Sequence, residues 1–351
     1  MKKVTSLCLA GACNRGICYI GSLLKLQQDN LLDLKQVVAV SIGSLIATGI
    51  LLGYTPLEML DLIIKKDTKE FKDISIFIDD KSISGPSINI LKGHNYRSWV
   101  KDIIKNKLIS NNWVDDTSSA SSSDPVSASV SASASVSTLV SDPVDNFTLL
   151  DLFKKTGVHF TVCVTCIHSS DPEFNEGLVH LDHENYPNFP LITAINASMA
   201  FPFIFPPVSY RGCQFVDGGL IDNFPLDRVS EDALALRVNF GDINGSESVK
   251  SPVSYMGKLF QLVTARMRQL QNLAKKDLTS NVVIVQCNDF SLIDFEMSVD
   301  DKITLFKRGY KAIEQYIQEK TQTQSKENEV NDKAETETET EIKVDEMVVG
   351  S

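Results

Sequence analysis

The sequence has 351 residues, 43% of them hydrophobic and 23% charged, with a formal net charge of −11. That length holds one large or two ordinary domains with a sizeable core, and the acidic balance argues against nucleic acid as a partner, because phosphate binding needs clustered Lys and Arg. Seven cysteines, an odd number without framework spacing, rule out a complete set of internal disulfides and fit a reducing compartment.

The chain opens MKKVTSLCLAGACNRGICYIG, which allows two readings. Two lysines, a short apolar run and Ala10 to Ala12 before Cys13 have the outline of a secretory signal. The same residues read as a buried strand, Val4 to Ala10, feeding a small-residue loop and a helix from Arg15 to Asp29 with Ile17, Ile20, Leu23, Leu24 and Leu26 on its apolar positions. The strand reading is preferred: the apolar run is only about seven residues and includes Thr5 and Ser6, at the lower limit of a signal core. It carries the expectation of a cytoplasmic protein, peripheral at membranes at most.

Val37 to Val40 is a short apolar strand, and a helix from Ile42 to Leu52 follows with only Ser41 between. That helix is the longest apolar candidate, yet Gly43, Ser44, Thr48 and Gly49 interrupt it and it falls short of the roughly 18 to 20 residues of a membrane span. A further helix is expected over Pro56 to Lys66, capped by Thr55 with Glu58 three residues on, and another over Tyr96 to Leu108. Strand then helix, repeated, points to an α/β fold with a mainly parallel sheet.

Composition then changes. Thr117 to Val144 is almost entirely Ser, Ala, Val and Asp-Pro, without the bulky side chains that offset ordering entropy, and a disordered surface insertion is expected. After it come a helix from Leu149 to Lys155 ending at Gly157 and a strand from Phe160 to Ile167. That strand carries Cys163, Cys166 and His168, but its β-branched residues, and the lack of a second Cys or His pair at zinc spacing, favour a buried strand over a metal site. A small-residue helix, Ile192 to Met199, and strands Gln214 to Val216 and Leu234 to Asn239 follow. Tyr255 to Lys275 reads as a long helix whose Leu259, Val263, Met267 and Leu270 pack into the core, a membrane-surface role being the other reading. Asn281 to Cys287 is a strand and Lys302 to Glu319 a closing helix. From residue 321 on, nine acids against three lysines give a local charge of −6, and an acidic disordered tail is expected over 321–351. The expected organisation is one domain over 1–320, interrupted at 112–145 by the Ser-rich insertion, then the tail.

Two stretches carry chemistry. In VVAVSIGSL, Ser41 stands where an apolar strand runs directly into a helix, the arrangement of a nucleophile elbow, with Ala39 and Gly43 as the small flanking residues; the alternative is a plain helix N-cap. In FVDGGLIDNFP, Asp217 ends a strand and Gly218 and Gly219 let the chain turn away and leave the carboxylate facing outward.

With the elbow and the Asp-Gly-Gly block in place, the chain resembles the patatin-like phospholipases. Four blocks stand in the family's order: Leu9 to Gly21 (LAGACNRGICYIG), Ala39 to Leu45, Ala197 to Val208 (ASMAFPFIFPPV) and Val216 to Pro225 (VDGGLIDNFP), and the resemblance extends over roughly residues 4 to 290. It implies a three-layer α/β/α fold and a lipid acyl hydrolase cleaving phospholipids or other lipid esters, with no metal and no cofactor. It further implies Ser41 as nucleophile and Asp217 as its base, without a histidine relay. The backbone N–H groups of Gly11, Ala12, Cys13 and Asn14 would face the oxyanion, and Arg15, followed by Gly16, would fix that loop. Asp217 would need a pKa raised by burial. The family loop reads G-G-G-x-R/K-G, so Ala12 and Cys13 depart from it; if their positions need positive φ they are strained. Cys13 would then narrow the acyl site or react in its own right. The alternative implied by these two residues is a catalytically impaired relative that binds lipid or a protein partner.

Overall fold

The computed structural model describes residues 2–79, 87–115, 142–239, 258, 262–263, 265–267, 269–270, 281–290 and 294–349. The strands are β1 (Val4–Leu9), β2 (Leu32–Val40), β3 (Ile74–Asp79), β4 (Ser87–Leu91), β5 (His159–His168), β6 (Gly177–Leu181), β7 (Val208–Tyr210), β8 (Cys213–Asp217), β9 (Leu234–Asn239) and β10 (Val282–Gln286). The helices are α1 (Ile17–Gln28), α2 (Ile42–Leu51), α3 (Pro56–Lys65), α4 (His94–Ser110), α5 (Leu149–Thr156), α6 (Leu191–Ser198) and α7 (Val299–Val349).

Eight strands form one mixed sheet in the order β10-β9-β1-β2-β5-β8-β7, with β6 also on β5; β3 and β4 form a separate antiparallel hairpin. From β10 to β5 the pairings are parallel, and β6, β7 and β8 are added antiparallel. β1, the strand at issue in the opening segment, is paired on both sides and buries Leu7 and Leu9 almost completely. Alternation along it splits the core: Leu7 and Leu9 join the main cluster with α1 to α7, while Cys8 and Ala10 face Phe224 and Leu226 from the segment after β8. The α/β expectation therefore holds; among the described residues, α1 to α7 pack on one face of the sheet and that segment covers part of the other.

α1 and α7 meet at unusually close range because each puts a glycine at the crossing. A Cβ on Gly21 would lie 1.9 Å from the Phe306 carbonyl oxygen, and one on Gly309 would lie 1.7 Å from that of Cys18. Ser22 Oγ donates to Gly309 O at 3.0 Å across the same contact.

Several sequence expectations need correction. β2 begins at Leu32, because its first half alternates exposed and half-buried residues and lacks the continuous apolar run of Val37 to Val40. The hairpin β3-β4 and strands β6 and β7 went unread, the last two being short. The insertion is narrower than 112–145: Trp113 stacks on Phe147 with centroids 6.2 Å apart, Val144 is buried, and Asp142 pairs with Lys101 and Lys105. Its Ser-rich centre, 116–141, lies outside the described residues. The long helix expected over 255–275 lies largely outside them too; where described it is helical, but Val263 and Leu270 are exposed and the inward residue is Ala265. α7 continues through Val349, where composition argued for disorder; residues 321–349 hold no Gly or Pro to end a helix and are rich in good helix formers.

Replacing Gly21 by Ala should drive α7 off α1 and lower stability by about 1–3 kcal/mol, measured by urea denaturation. The same change at Gly53, where a Cβ would meet nothing within 4 Å, tests backbone strain alone through its φ of 88°, and should cost less.

Candidate active site

The pairing of β5 decides where the two chemical residues meet. β6 occupies one edge of β5, at Val162 to Cys166. The other edge is shared: β2 runs parallel along His159 to Cys163 and β8 antiparallel along Val164 to His168. Val40 pairs with Cys163 and Asp217 with Val164, so the two strands end head to head at consecutive residues of β5, and Ser41, the next residue after β2, faces Asp217.

Ser41 has φ 54° and ψ −130°, a region that side chains with a Cβ rarely occupy and that costs on the order of 1–3 kcal/mol. It occupies the N-cap position of α2, but its side chain makes no capping bond, which separates the elbow from the plain N-cap. Its amide N–H donates to Ser198 Oγ at 2.8 Å, and Ser198 Oγ donates to the Cys163 carbonyl at 2.8 Å; its carbonyl accepts from Ser44 N at 2.8 Å and Ser44 Oγ at 2.6 Å. α2 can begin this close because a Cβ on Gly43 would meet Leu9 O at 2.6 Å.

Asp217 does not face outward as expected: it is 2% exposed. Burial raises its pKa to about 7, against the lowering effect of hydrogen bonds from the Ser41 hydroxyl and from Gly219 N–H, the latter at 2.8 Å. The two glycines after it serve close approach, since a Cβ on Gly218 would meet Cys163 O at 2.4 Å and one on Gly219 would meet Asn223 Oδ1 at 2.5 Å.

The loop after β1 closes over this pair. Cys13 to Gly16 form a 3-10 turn ahead of α1, and the N–H groups at such an end lack partners within the turn. Gly11 N–H is already taken by Asn223 O at 3.2 Å, while Asn223 Nδ2 donates to Gly11 O at 2.9 Å; of the expected donors, Ala12, Cys13 and Asn14 remain. Arg15 is buried and donates Nη1 to Asn239 O at 3.2 Å and Nε to Phe290 O at 3.1 Å, tying the loop to the ends of β9 and β10. Gly16 lies against Ile42 of α2, where a Cβ would meet Cγ2 at 2.5 Å.

Ser41, Cys13 and Asn14 open into a cleft of about 910 Å³, its solvent-filled mouth included, walled by Ile17, Ile46, Phe71, Tyr96, Trp99, Phe201, Phe205 and Met297. Phe71 packs edge-on against Tyr96 with centroids 5.8 Å apart, and Tyr96 lies 5.0 Å from Phe205. A family model, that of the patatin-like phospholipases, matches residues 7–229.

The chain belongs to the patatin-like phospholipase family. It is 22% identical over 315 residues to the probable lipid hydrolase 463L of Invertebrate iridescent virus 6, covering 88% of this chain and 87% of that protein. It is 22% identical over 322 residues to the uncharacterized protein YqhO of Bacillus subtilis, covering 88% and 96%. Among solved structures it is similar in fold to VipD from Legionella pneumophila, with a TM-score of 0.54 and 15% identity, over 89% of this chain and 66% of that one.

Against the family's glycine-rich loop, only one of the two departures meets strain. Ala12 has φ −147°, outside the left-handed region, whereas Cys13 takes φ 46°, where glycine is favoured. Burial, then the nearby Asp217 charge, pushes the pKa of the Cys13 thiol up to about 12, with Arg15 opposing, which disfavours its thiolate although the residue is only half-buried and lines the cleft. Ser198 and Asn223, which hold the Ser41 amide and the loop after β1, lie inside the motif blocks, yet the sequence alone assigns them no role. Serine and asparagine are so common in loops that only their partners reveal them.

Two outcomes follow. The folded protein holds the Asp217 proton up to pH about 7 against 3.8 ordinarily, so the stability this proton confers is complete below pH about 4 and lost as pH rises through about 7. Asp217→Asn, which cannot ionise, should be more stable than the parent at pH 8, by up to about 4 kcal/mol, and nearly equal at pH 4, by urea denaturation. At pH 8 iodoacetamide should leave Cys13 unmodified in the native protein while alkylating it after denaturation, read by peptide mass spectrometry.

Proposed function

We propose that this patatin-like protein hydrolyses carboxylic ester bonds of phospholipids or other lipids through an acyl-Ser41 intermediate. The observation that carries the reading is a serine on a strained elbow, facing a buried carboxyl of pKa about 7, at the floor of an apolar cleft. Ser41 Oγ attacks the ester carbonyl carbon as the Asp217 carboxylate takes the hydroxyl proton. The tetrahedral oxyanion accepts hydrogen bonds from the N–H groups of Ala12, Cys13 and Asn14, each worth a few kcal/mol of transition-state stabilisation. Asp217 then returns its proton to the departing alkoxide, leaving the acyl enzyme; with Asp217 again ionised, a water loses a proton to it and attacks the acyl carbon, and collapse of that intermediate expels Ser41 Oγ, which takes the proton back from Asp217 as the acid is released.

Turnover is favoured over the binding-only alternative because Cys13 adopts the left-handed turn despite its side chain, so the loop keeps its course. The reading carried forward is a cytoplasmic protein that meets lipid at a membrane surface. Phe203, 40% exposed beside the cleft-lining Phe201, Ile204 and Phe205, suits such a contact. Among the described residues no helix is long and apolar enough to cross a membrane.

Purified protein should react with a fluorophosphonate and turn over p-nitrophenyl esters, longer acyl chains better than acetate. Ser41→Ala should abolish labelling, and Asp217→Asn should lower kcat/KM at least about thousandfold. In the parent, kcat/KM should rise with pH through about 7 as Asp217 ionises. Labelling that survives Ser41→Ala, or turnover indifferent to Asp217→Asn, would sink the mechanism.

A further inference from the structure

At the far end of β5 from Ser41 lies a group the chemistry above does not use. His159 is the first residue of β5, and His183 and Glu184 follow β6 by two and three residues. One donor atom from each lies within 4.8 Å of the other two: His159 Nδ1 is 3.6 Å from Glu184 Oε1 and His183 Nε2 is 3.9 Å from the same oxygen. These separations are too long for hydrogen bonds and slightly longer than the ligand spacing around a tetrahedral ion with bonds near 2.0–2.2 Å.

The arrangement is held in place from outside. The Asp182 carboxylate accepts from Glu184 N at 2.9 Å and Asn185 N at 2.8 Å, fixing the turn that presents His183 and Glu184. Phe153 of α5 stacks on the His183 ring with centroids 3.7 Å apart, which sets the ring plane, and the His159 ring meets its edge at 4.8 Å. His183 is the buried member of the group. Its side chain is 8% exposed and its Nε2 faces the Glu184 oxygen at 3.9 Å, while Nδ1, the other ring nitrogen, is buried with no hydrogen-bond partner among the described residues.

We infer that His159, His183 and Glu184 bind a divalent transition-metal ion, zinc by their donor chemistry, with water completing its coordination. Two imidazoles and one carboxylate suit zinc and exclude calcium or magnesium, which take oxygen donors. The ion would not take part in ester hydrolysis. Gln36 pairs with His159 in the sheet and Ser41 is five residues further along, roughly 16 Å at strand spacing. The ion acts instead as a clamp, joining the start of β5 to the turn that follows β6, on the strand against which both β2 and β8 are laid.

The test is a titration of the full-length, metal-stripped protein with Zn2+ alone by calorimetry, and with Co2+ followed by visible absorption. One zinc per chain is expected, with a melting temperature higher by a few degrees when zinc is in hundredfold excess over Kd. The cobalt spectrum should be that of nitrogen and oxygen ligands without a thiolate band. His159→Ala and Glu184→Gln change exposed side chains, so both variants should fold and keep parental fluorophosphonate labelling while binding zinc at least about tenfold more weakly. Absence of binding, a thiolate band, or zinc affinity unchanged in both variants would overturn the assignment.

Discussion

The site depends on one sharing arrangement: a single edge of β5 serves two strands that approach from opposite directions and stop beside neighbouring residues. β2 brings a serine to that point and β8 an aspartate, and neither could be moved by one residue without a loss. A slip of β2 would turn Val38 and Val40 toward the helices and Val37 and Ala39 away from them. A slip of β8 would carry Asp217 off its bond with the Ala200 amide region, where Asp217 N donates to Ala200 O at 3.0 Å. Hydrophobic register therefore fixes the reactive geometry, and the core and the chemistry are set by the same pairing.

That geometry is costly, and the surroundings show where the cost is met. Ser41 and Cys13 both hold positive φ, and Asp217 is a carboxyl removed from water. Ser198 holds the first through its amide and Asn223 fastens the loop of the second by a reciprocal pair of hydrogen bonds. Glycines at 43 and 218 let backbone approach where any Cβ would collide. Each of these small or polar residues acts on its neighbour's conformation, which explains why the family blocks extend beyond the residues that would touch substrate.

The legible part of the sequence was the part with strong local signals. Ser41 could be read because an apolar strand runs into an apolar helix with one residue between, and Asp217 because two glycines follow a strand end. The parallel half of the sheet was readable from strand and helix alternation. What escaped had either weak periodicity or a nonlocal cause. β6 and β7 are short, and the polar first half of β2 hides its length. The inward face of the helical residues around Ala265 is chosen by packing that no single helix encodes. Composition argues for a disordered tail, whereas residues 321–349 continue the helix, in a stretch without Gly or Pro and rich in good helix formers. Burial of Asp217 was foreseen as a requirement; its direction, away from solvent, depends on elements that lie far apart in the chain.

The bond from the Ser41 amide to Ser198 spans 157 residues, which gives the site a property in time as well as in space. At roughly 5–20 residues per second, a ribosome needs on the order of ten to thirty seconds to supply the second partner after the first has emerged, and Asp217 comes later still. Throughout that interval the nascent chain carries Ser41 without Ser198 and without Asp217. If the protein hydrolyses membrane lipid as proposed, that activity cannot begin until most of the chain has been made.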